Sequence, residues 1–486
     1  MWVAVGLAIS TVVEFAYGDP DGWALAAATG IFGGTGYVLM RATKLEKLDT
    51  AGSFAVVGWT YVIVCLFGAL PYIFAGTFRY WDDALFESVS GFSATGSTVF
   101  FGDNDTIENQ GHGLLLYRQL TNWAGGMGIV LLAVSVLPSL GRGGLGLIGA
   151  EAPGPSSDHM VPRLQDMAKR LWFLYLGFTA ILTAAFLVVG MGPFDAVSHG
   201  IATAATGGFS PRDSSIGSFD SVWVEGVACV GMVIAGMSFA LHYRFVHKDF
   251  RAHVRDGETR IYLLALFTAA AGIVTLLWLD GGLSLGESAR AGIFNTIALG
   301  TSTGFSNATG AGSAGDYVQW IPAPQIIILA LFVVGGSSGS TAGGVKVVRL
   351  QVLWRYVHRV LQRIRHRNLV LPIKVNGSRM PDSLVEKIVG FMALYATIIA
   401  IGIVVITALG TDLVTAVGGV VGAMGNMGPA LNQAGPTASF TDGFARPARL
   451  VLMLLMLIGR LEIFPVLLML VAPHRFWRKV RPREYV

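Results

Sequence analysis

The chain has 486 residues, of which 53% are hydrophobic and only 13% charged. That is about half the charged share of an average soluble domain, which excludes a water-covered globule. The net charge of +4 does not point to nucleic acid, because the basic residues sit in short connections between apolar runs and form no stripe interleaved with aromatics.

The apolar runs are about 18 to 28 residues long, the length needed to cross a bilayer core. The first two, residues 1–17 and 22–40, read as a transmembrane helix pair (domain 1–47). The first lacks the basic start of a cleaved leader, and a second run follows from Trp23. From Ala51 onward one three-part unit repeats four times: a long apolar run, a shorter Gly/Ser/Thr-rich segment, and a second long run. The first unit (48–145) has runs at 52–76 and 114–138 around Ala84 to Thr98; the second (146–250) has runs at 169–191 and 220–246 around Phe194 to Phe209. The third (251–370) has runs at 260–279 and 322–352 around Ala289 to Phe305. The fourth (371–486) has runs at 384–409 and 446–472 around Leu413 to Pro429, then a basic tail. The middle segments recur every 100 to 125 residues or so, far above the spacing of solenoid repeats. Each holds about ten helix-compatible residues, enough to reach halfway through a bilayer, and ends in small polar residues. Re-entrant helices returning as extended backbone fit this pattern, since such backbone survives at membrane depth only where protein or a water-filled path satisfies it. The expected fold is therefore all-α and integral to the membrane, with four helix/pore-helix/helix modules around a pseudo-fourfold pore, preceded by an extra helix pair.

Lys and Arg cluster in the connections after each second run: Arg142, Arg163, Lys169 and Arg170; Arg244, Lys248, Arg251, Arg255 and Arg260; Lys346 through Lys387; and Arg475 to Arg483 at the carboxyl end. This side is read as cytoplasmic, with both termini on it and the cell membrane as the location. The loops flanking the short segments are acidic, including Asp82, Asp83, Asp195, Asp213, Asp220, Glu287 and Asp412. Such a collar either concentrates cations at the mouth or merely solvates the loops.

The four short segments end in Ser93-Ala94-Thr95-Gly96-Ser97, Ala204-Ala205-Thr206-Gly207-Gly208, Thr301-Ser302-Thr303-Gly304-Phe305 and Gly425-Asn426-Met427-Gly428-Pro429. A glycine recurs at Gly96, Gly207, Gly304 and Gly428. Rings of backbone carbonyls can replace the water shell of potassium, and turning carbonyls inward along an extended segment needs torsions open to glycine. The carboxyl end of the preceding helix, partially negative, would favour a cation there. Close helix packing is the alternative use of glycine in membranes. On this reading the ion meets the carbonyls of Thr95, Thr206, Thr303 and Met427. Two further features lie in the second runs of modules 3 and 4. Ten small residues from Gly335 to Gly344, including Gly336, Gly339 and Gly343, break the run of module 3, since each Gly costs a helix about 1 kcal/mol; an unwound loop or a mere kink results. Arg460 stands inside an apolar run, where a charge costs about 2.5 to 3.5 kcal/mol and so faces an interior or cavity. Glu462, two residues on, points to another face and does not close a pair with it. Lys346 is either a snorkelling anchor or part of the same device.

The stretches Gln119-Leu-Thr-Asn-Trp-Ala-Gly-Gly-Met-Gly-Ile129, Ala205-Thr-Gly-Gly-Phe-Ser210, Thr303-Gly-Phe-Ser306, Gly339-Ser-Thr-Ala-Gly-Gly-Val-Lys346 and Asn426-Met-Gly-Pro429 resemble signatures of TrkH-type membrane subunits of the Trk/Ktr/HKT potassium transporter superfamily. The resemblance covers nearly the whole chain. It implies a pseudo-fourfold potassium pore that also takes rubidium, a homodimer, and a cytoplasmic nucleotide-binding ring of the TrkA/KtrA kind that gates it. It places the filter glycines on Gly96, Gly207, Gly304 and Gly428, makes the 335–344 stretch an intramembrane gating loop, and makes Arg460 an electrostatic barrier beneath the filter. Glycine rather than serine at 96 goes with potassium preference. The fourth segment departs from the Thr-Gly form. No cofactor is implied.

Other signals are discounted. Gly144 to Gly149 matches a dinucleotide pattern but follows a membrane helix, not a strand. The nine His and two Cys, the latter at 65 and 229 inside apolar runs, show no metal-ligand spacing. His199 is placed near the outer end of a pore helix. An intramembrane enzyme would need a convergent acid, base or nucleophile set, which the runs lack. A rocking transporter would show inverted halves, which the four equal modules do not. Proton- or sodium-coupled potassium symport and less selective K/Na permeation remain as variants of the pore reading.

Overall fold

A computed structural model describes residues 2–42, 50–101, 104–136, 160–366, 371–463, 465–467 and 469. Arg142, the 144–149 linker and the basic tail from Arg475 lie outside the described residues. The regular secondary structure of the described residues is almost wholly helix. Helices α1 (Trp2–Tyr17) and α2 (Gly22–Ala42) come first. Next are α3 (Thr50–Gly68), α4 (Leu70–Ala75), α5 (Trp81–Phe92) and α6 (His112–Val136), then α7 (Met160–Val188), α8 (Pro193–Ala205), α9 (Val222–Ala235) and α10 (Phe239–Val246). After these stand α11 (Ala252–Arg255), α12 (Gly257–Leu279), α13 (Leu285–Gly300), α14 (Pro322–Val333) and α15 (Val347–Arg365). A two-residue antiparallel pair, β1 (Lys374–Val375) and β2 (Ser378–Arg379), sets Lys374 opposite Arg379. The described chain closes with α16 (Asp382–Ala408), α17 (Leu413–Gly425), α18 (Phe440–Gly443) and α19 (Arg446–Leu461).

Among the described residues, five stretches are long and apolar enough to cross a bilayer: Gly22–Ala42, Ala55–Ala75, Asp166–Val188, Gly257–Leu279 and Asp382–Ala408. Their outward faces carry Phe173, Val188, Phe267 and Val404, all exposed. Polar side chains such as Ser88, Ser90, Thr206 and Asn426 are buried instead. This inverted polarity suits a molecule whose solvent is hydrocarbon.

The expected apolar runs do not all form unbroken helices. Run 220–246 is two helices, α9 and α10, bent by 98°. Gly236 ends α9, a Cβ there would lie 2.3 Å from the Tyr262 hydroxyl, and the Ser337 amide caps its carbonyl at 2.8 Å. Run 446–472 is interrupted at Glu462, whose φ is +63°. Run 322–352 is split into α14 and α15 by the glycine-rich stretch, as expected.

The four short helices α5, α8, α13 and α17 have 12, 13, 16 and 13 residues. At 1.5 Å per residue they fall short of a bilayer core of about 30 Å. Each has a carboxylate at its amino end: Asp82 and Asp83, Asp195, Glu287, and Asp412. Asp412 accepts from the Val414 and Thr415 amides, and Ser284 with Glu287 closes a reciprocal cap on α13. Part of the acidic collar is thus helix capping, set where the helix dipole is positive. His199 lies in the middle of α8, not near its outer end. It is fully buried, with Nδ1 2.8 Å from the Asp195 carbonyl and Nε2 3.0 Å from Ser210 Oγ. The fold puts a structural imidazole between helix and returning segment.

Candidate functional site

All four short helices terminate alike. One amide reaches back five residues to a carbonyl: Thr95 to Ser90 (2.9 Å), Gly207 to Ala202 (3.0 Å), Thr303 to Ala298 (2.9 Å) and Met427 to Gly422 (2.8 Å). The residue just before is left-handed each time: Ala94 (φ +49°), Thr206 (+49°), Ser302 (+55°) and Asn426 (+51°). The residue just after is Gly96 (φ +84°), Gly208 (+75°), Gly304 (+82°) or Gly428. The glycine expected at Gly207 is therefore one position early, and Gly208 is the counterpart of Gly96, Gly304 and Gly428. Likewise Gly207, not Thr206, matches Thr95, Thr303 and Met427. The cause is that Thr206 serves as the left-handed cap, the place held elsewhere by Ala94, Ser302 and Asn426.

These residues meet. A Cβ on Gly96 would lie 2.3 Å from the Gly207 carbonyl oxygen, and one on Gly208 would lie 2.1 Å from that of Thr303. One on Gly304 would lie 2.9 Å from Pro429 Cδ, and one on Gly428 would lie 2.9 Å from the Gly96 oxygen. The contacts run from the first segment to the second, third and fourth, and back to the first. Gly96, Gly208, Gly304 and Gly428 also line one cavity of about 70 Å³, together with Asp213. Gly207 is side-chainless for a separate reason: Asn122 Nδ2 stands 2.5 Å from where its Cβ would be.

Side chains brace the segments from behind. Ser93 and Thr95 hydroxyls are 2.6 Å apart, and those of Thr301 and Thr303 are 2.7 Å apart. Asn426 Nδ2 donates to Thr95 Oγ1 (3.1 Å), and Ser97 Oγ donates to the Gly428 carbonyl (2.8 Å). Arg118 on α6 pairs with Glu87 on α5 at 2.6 Å, both fully buried. Glu87 accepts from the Val99 amide (3.1 Å) and Thr98 hydroxyl (3.1 Å), while Arg118 donates to the Ser210 carbonyl (2.8 Å) and stacks 3.6 Å from the Phe209 ring centre. One ion pair thus binds the first segment to the second.

The carboxylates flanking the short segments are largely taken by arginines. Asp82 and Asp83 pair with Arg446 and Arg449, Asp195 with Arg212, and Asp220 and Glu225 with Arg290. Asp213 differs, accepting main-chain amides of Ile107 (2.9 Å) and Glu108 (3.3 Å). Burial pushes its carboxyl above the usual range; the Glu108 amide opposes this, and the Glu108 charge adds to it.

On the other side of the ring lies the glycine-rich loop. Gly335 donates to the Val345 carbonyl and Val345 to that of Val333, both at 2.9 Å, so the loop starts and ends in one parallel bridge. Thr341 Oγ1 lies 3.2 Å from Thr206 Oγ1, the Gly343 amide donates to Ser302 Oγ (2.5 Å), and a Cβ on Gly343 would lie 2.8 Å from Asn426 Cβ. Three of the four left-handed caps therefore rest on this loop. Gly335 and Gly336 are side-chainless because the Gly343 and Gly236 carbonyls lie 2.0 and 2.5 Å from their Cβ positions. Gly339 and Gly344 have φ of +76° and +65°. Ser337 donates to the Gly236 carbonyl (2.8 Å) and Phe239 to that of Gly339 (3.0 Å), so the loop lies in the α9–α10 break. Glu258 Oε1 accepts from the Ser338 amide (2.7 Å) and the Val348 amide (3.1 Å).

Arg460, 2% exposed, donates to the Thr341 carbonyl (3.1 Å) and the Gly125 carbonyl (2.7 Å). Glu462 pairs instead with Arg349 at 2.6 Å. Lys346 is buried, and its ammonium donates inward to the Ala342 carbonyl. Sequence reasoning passed over Glu258, Arg118 and the α9–α10 break, counted Glu87 only among the flanking acids, and gave Asn122 no role of its own inside the quoted 119–129 stretch. Glu258 had a signal, a carboxylate at the start of an apolar run, whereas Arg118 and the break had none beyond their residue types.

A family model for TrkH, described as a cation transport protein, matches residues 26–479. The Trk system potassium uptake protein TrkH of Halomonas elongata is 35% identical, covering 96% of this chain and 95% of that one. Its namesake in Escherichia coli K12 is 34% identical, covering 97% and 95%. The crystal structure of the potassium transporter TrkH from Vibrio parahaemolyticus superposes with a TM-score of 0.86 at 30% identity, covering 96% of this chain and 95% of that one.

Proposed function

The chain belongs to the TrkH family of cation transport proteins, and from that premise we propose that it takes up potassium across a membrane through the ring of four glycine-bearing segments. It is a multi-pass transport protein, not an enzyme. The observation that carries the reading is the closed cycle of contacts at Gly96, Gly208, Gly304 and Gly428. Main-chain oxygens of Thr95, Gly207, Thr303 and Met427 are the groups assigned to the dehydrated ion, with the carboxyl ends of α5, α8, α13 and α17 behind them. The 335–344 loop, held by Arg460, Glu258 and Lys346, is assigned as the gate. Its support is the set of bonds from Thr341 and Gly343 to the caps at Thr206 and Ser302. Arg460 adds a fixed positive charge on the inner side of the ring, which opposes a cation in transit until the loop and Arg460 move apart. The module boundaries, the cytoplasmic placement of both termini, the homodimer and the gating ring of the TrkA/KtrA kind are part of the same proposal, resting on arginine placement and on the motif resemblance.

A second reading, weaker selection between potassium and sodium, is favoured by the fourth segment. It has Met427 where the others have Thr95, Gly207 and Thr303, and its Gly428 lacks the positive φ of the other three. Flux from purified protein in liposomes tests both readings. Potassium and rubidium gradients are expected to drive uptake well ahead of sodium and lithium. Equal rates for all four would refute the ring assignment, and dependence on an imposed pH or sodium gradient would make the flux coupled.

A further inference from the structure

On the arginine-rich side, away from the ring, the start of α12, the middle of α15 and the β1–β2 turn enclose an open cavity of about 380 Å³. It is lined by Arg255, Arg260, Gln351, Arg355, Lys374 and Asn376. Four of these are cations, and among the described residues none of the four forms an ion pair. Their neighbours behave otherwise: Arg244, Arg349 and Arg359 each hold a carboxylate. The nearest carboxylates in sequence form no ion pair with these four and accept from other groups. Asp256 accepts from the Thr259 amide and hydroxyl and from Asn376 Nδ2 (2.7, 2.8 and 2.7 Å), and Glu258 accepts from Ser338 and Val348. Arg260 is fixed by the carbonyls of Val254 (2.6 Å) and Arg255 (3.2 Å). Gln351 also has a buried amide oxygen without a partner, so its amide is free to turn and offer N–H to an anion. Four cations converging without a counter-charge repel one another, and an anion relieves this.

The walls say which anion. Val254, Ile261 and Leu264 beside the α12 edge, and Trp354 and Val357 on α15, are exposed apolar side chains. Gly257–Leu279 is long enough to span the membrane, which sets its first turn at the headgroup level, where an exposed Trp is at home. A ligand there has an anionic head for the cations and a tail for the apolar flanks. We infer that this cavity binds the phosphate headgroup of an anionic phospholipid in the leaflet facing the arginine-rich side. A bound headgroup would bridge α12 to α15 within a turn of Glu258, which anchors both the glycine loop and the start of α15.

The test uses the full chain in nanodiscs of phosphatidylcholine into which phosphatidylglycerol is titrated, with retained lipid counted by native mass spectrometry. This readout does not depend on ion flux, so it fails or succeeds separately from the pore assignment. The parent is expected to retain phosphatidylglycerol over phosphatidylcholine. Arg355→Gln and Lys374→Gln should each weaken that retention about fivefold, the share of one cation near an anionic surface. Arg363→Gln, exposed on α15 but outside the cavity, should leave it intact. Unchanged retention in the first two variants would overturn the site. An equal loss in Arg363→Gln would reduce it to diffuse surface attraction, and displacement of the lipid by inorganic phosphate would make it a free-anion site instead.

Discussion

Substituting the two adjacent glycines of the second segment separates the register seen in the structure from the one suggested by the Thr-Gly pairs. Gly208 has φ +75°, a conformation that costs an L-residue about 1–2 kcal/mol. Its new Cβ would also sit 2.1 Å from the Thr303 carbonyl oxygen. That oxygen belongs to backbone and must retreat by more than an ångström to reach ordinary contact. Gly208→Ala should therefore distort the ring itself. A distortion that shifts relative ion binding by about 1.4 kcal/mol lowers the potassium-to-sodium uptake ratio tenfold, and that is the minimum expected. At Gly207 the φ is not left-handed, and the obstruction is the Asn122 side chain at 2.5 Å. Gly207→Ala should lower thermal stability while keeping the ratio, and adding Asn122→Ala should restore the stability. The assay is rubidium uptake into proteoliposomes with and without competing sodium, paired with melting of the detergent-solubilised protein. A Gly208→Ala protein with the parental ratio, or a Gly207→Ala protein that alone loses it, would refute the register and the carbonyl assignment built on it.

Arg460→Ala removes both donors to the Thr341 and Gly125 carbonyls and should raise basal rubidium flux several-fold; flux equal to the parent would take Arg460 out of the pathway. Removing one partner of the buried Arg118–Glu87 pair, as in Arg118→Met, should cost about 3 to 5 kcal/mol. Arg118→Met with Glu87→Leu should recover part of that in melting experiments, whereas additive losses would mean the two do not act as a pair. Asp213 is the outer carboxyl raised by burial and next to Glu108. It carries its charge above its raised pKa and loses it as the pH on that side falls through that value, so uptake at low ionic strength should drop on acidification, and at a higher pH than an ordinary aspartate would require. Asp213→Asn should hold the low rate at every pH, and an unchanged pH profile would remove Asp213 from the mouth's electrostatics.

Much of the architecture was legible in the sequence because run length maps directly onto bilayer thickness, and the ten small residues at 335–344 cannot sustain a helix. Arg460 was legible as an interior group from the cost of its depth; Glu462 does lie apart from it, but because the helix breaks at Glu462 (φ +63°) and not through helical spacing. The register of the second segment was not legible. Gly207 and Gly208 are both candidates, and which one follows the cap depends on whether the helix ends at Ala204 or Ala205, a difference no residue type announces. The α9–α10 bend was hidden because run 220–246 stays apolar through Gly236 and Ser238, and the partner that stabilises the break, the loop around Ser337 and Gly339, comes about a hundred residues later. The use of the acids flanking the short segments stayed open for the same reason. Counting carboxylates cannot reveal that Asp82 and Asp83 are neutralised by Arg446 and Arg449 from the far end of the chain.

The junction between the α9–α10 break and the glycine loop is stitched by amide-to-carbonyl links, Ser337 to Gly236 and Phe239 to Gly339. An alanine scan would report only on side chains here, the methyl forced onto Gly236 and Gly339 and the packing lost at Phe239, and would leave those links themselves untouched. Replacing single peptide bonds with esters, which deletes one N–H at a time, is the chemistry that would make this seam visible.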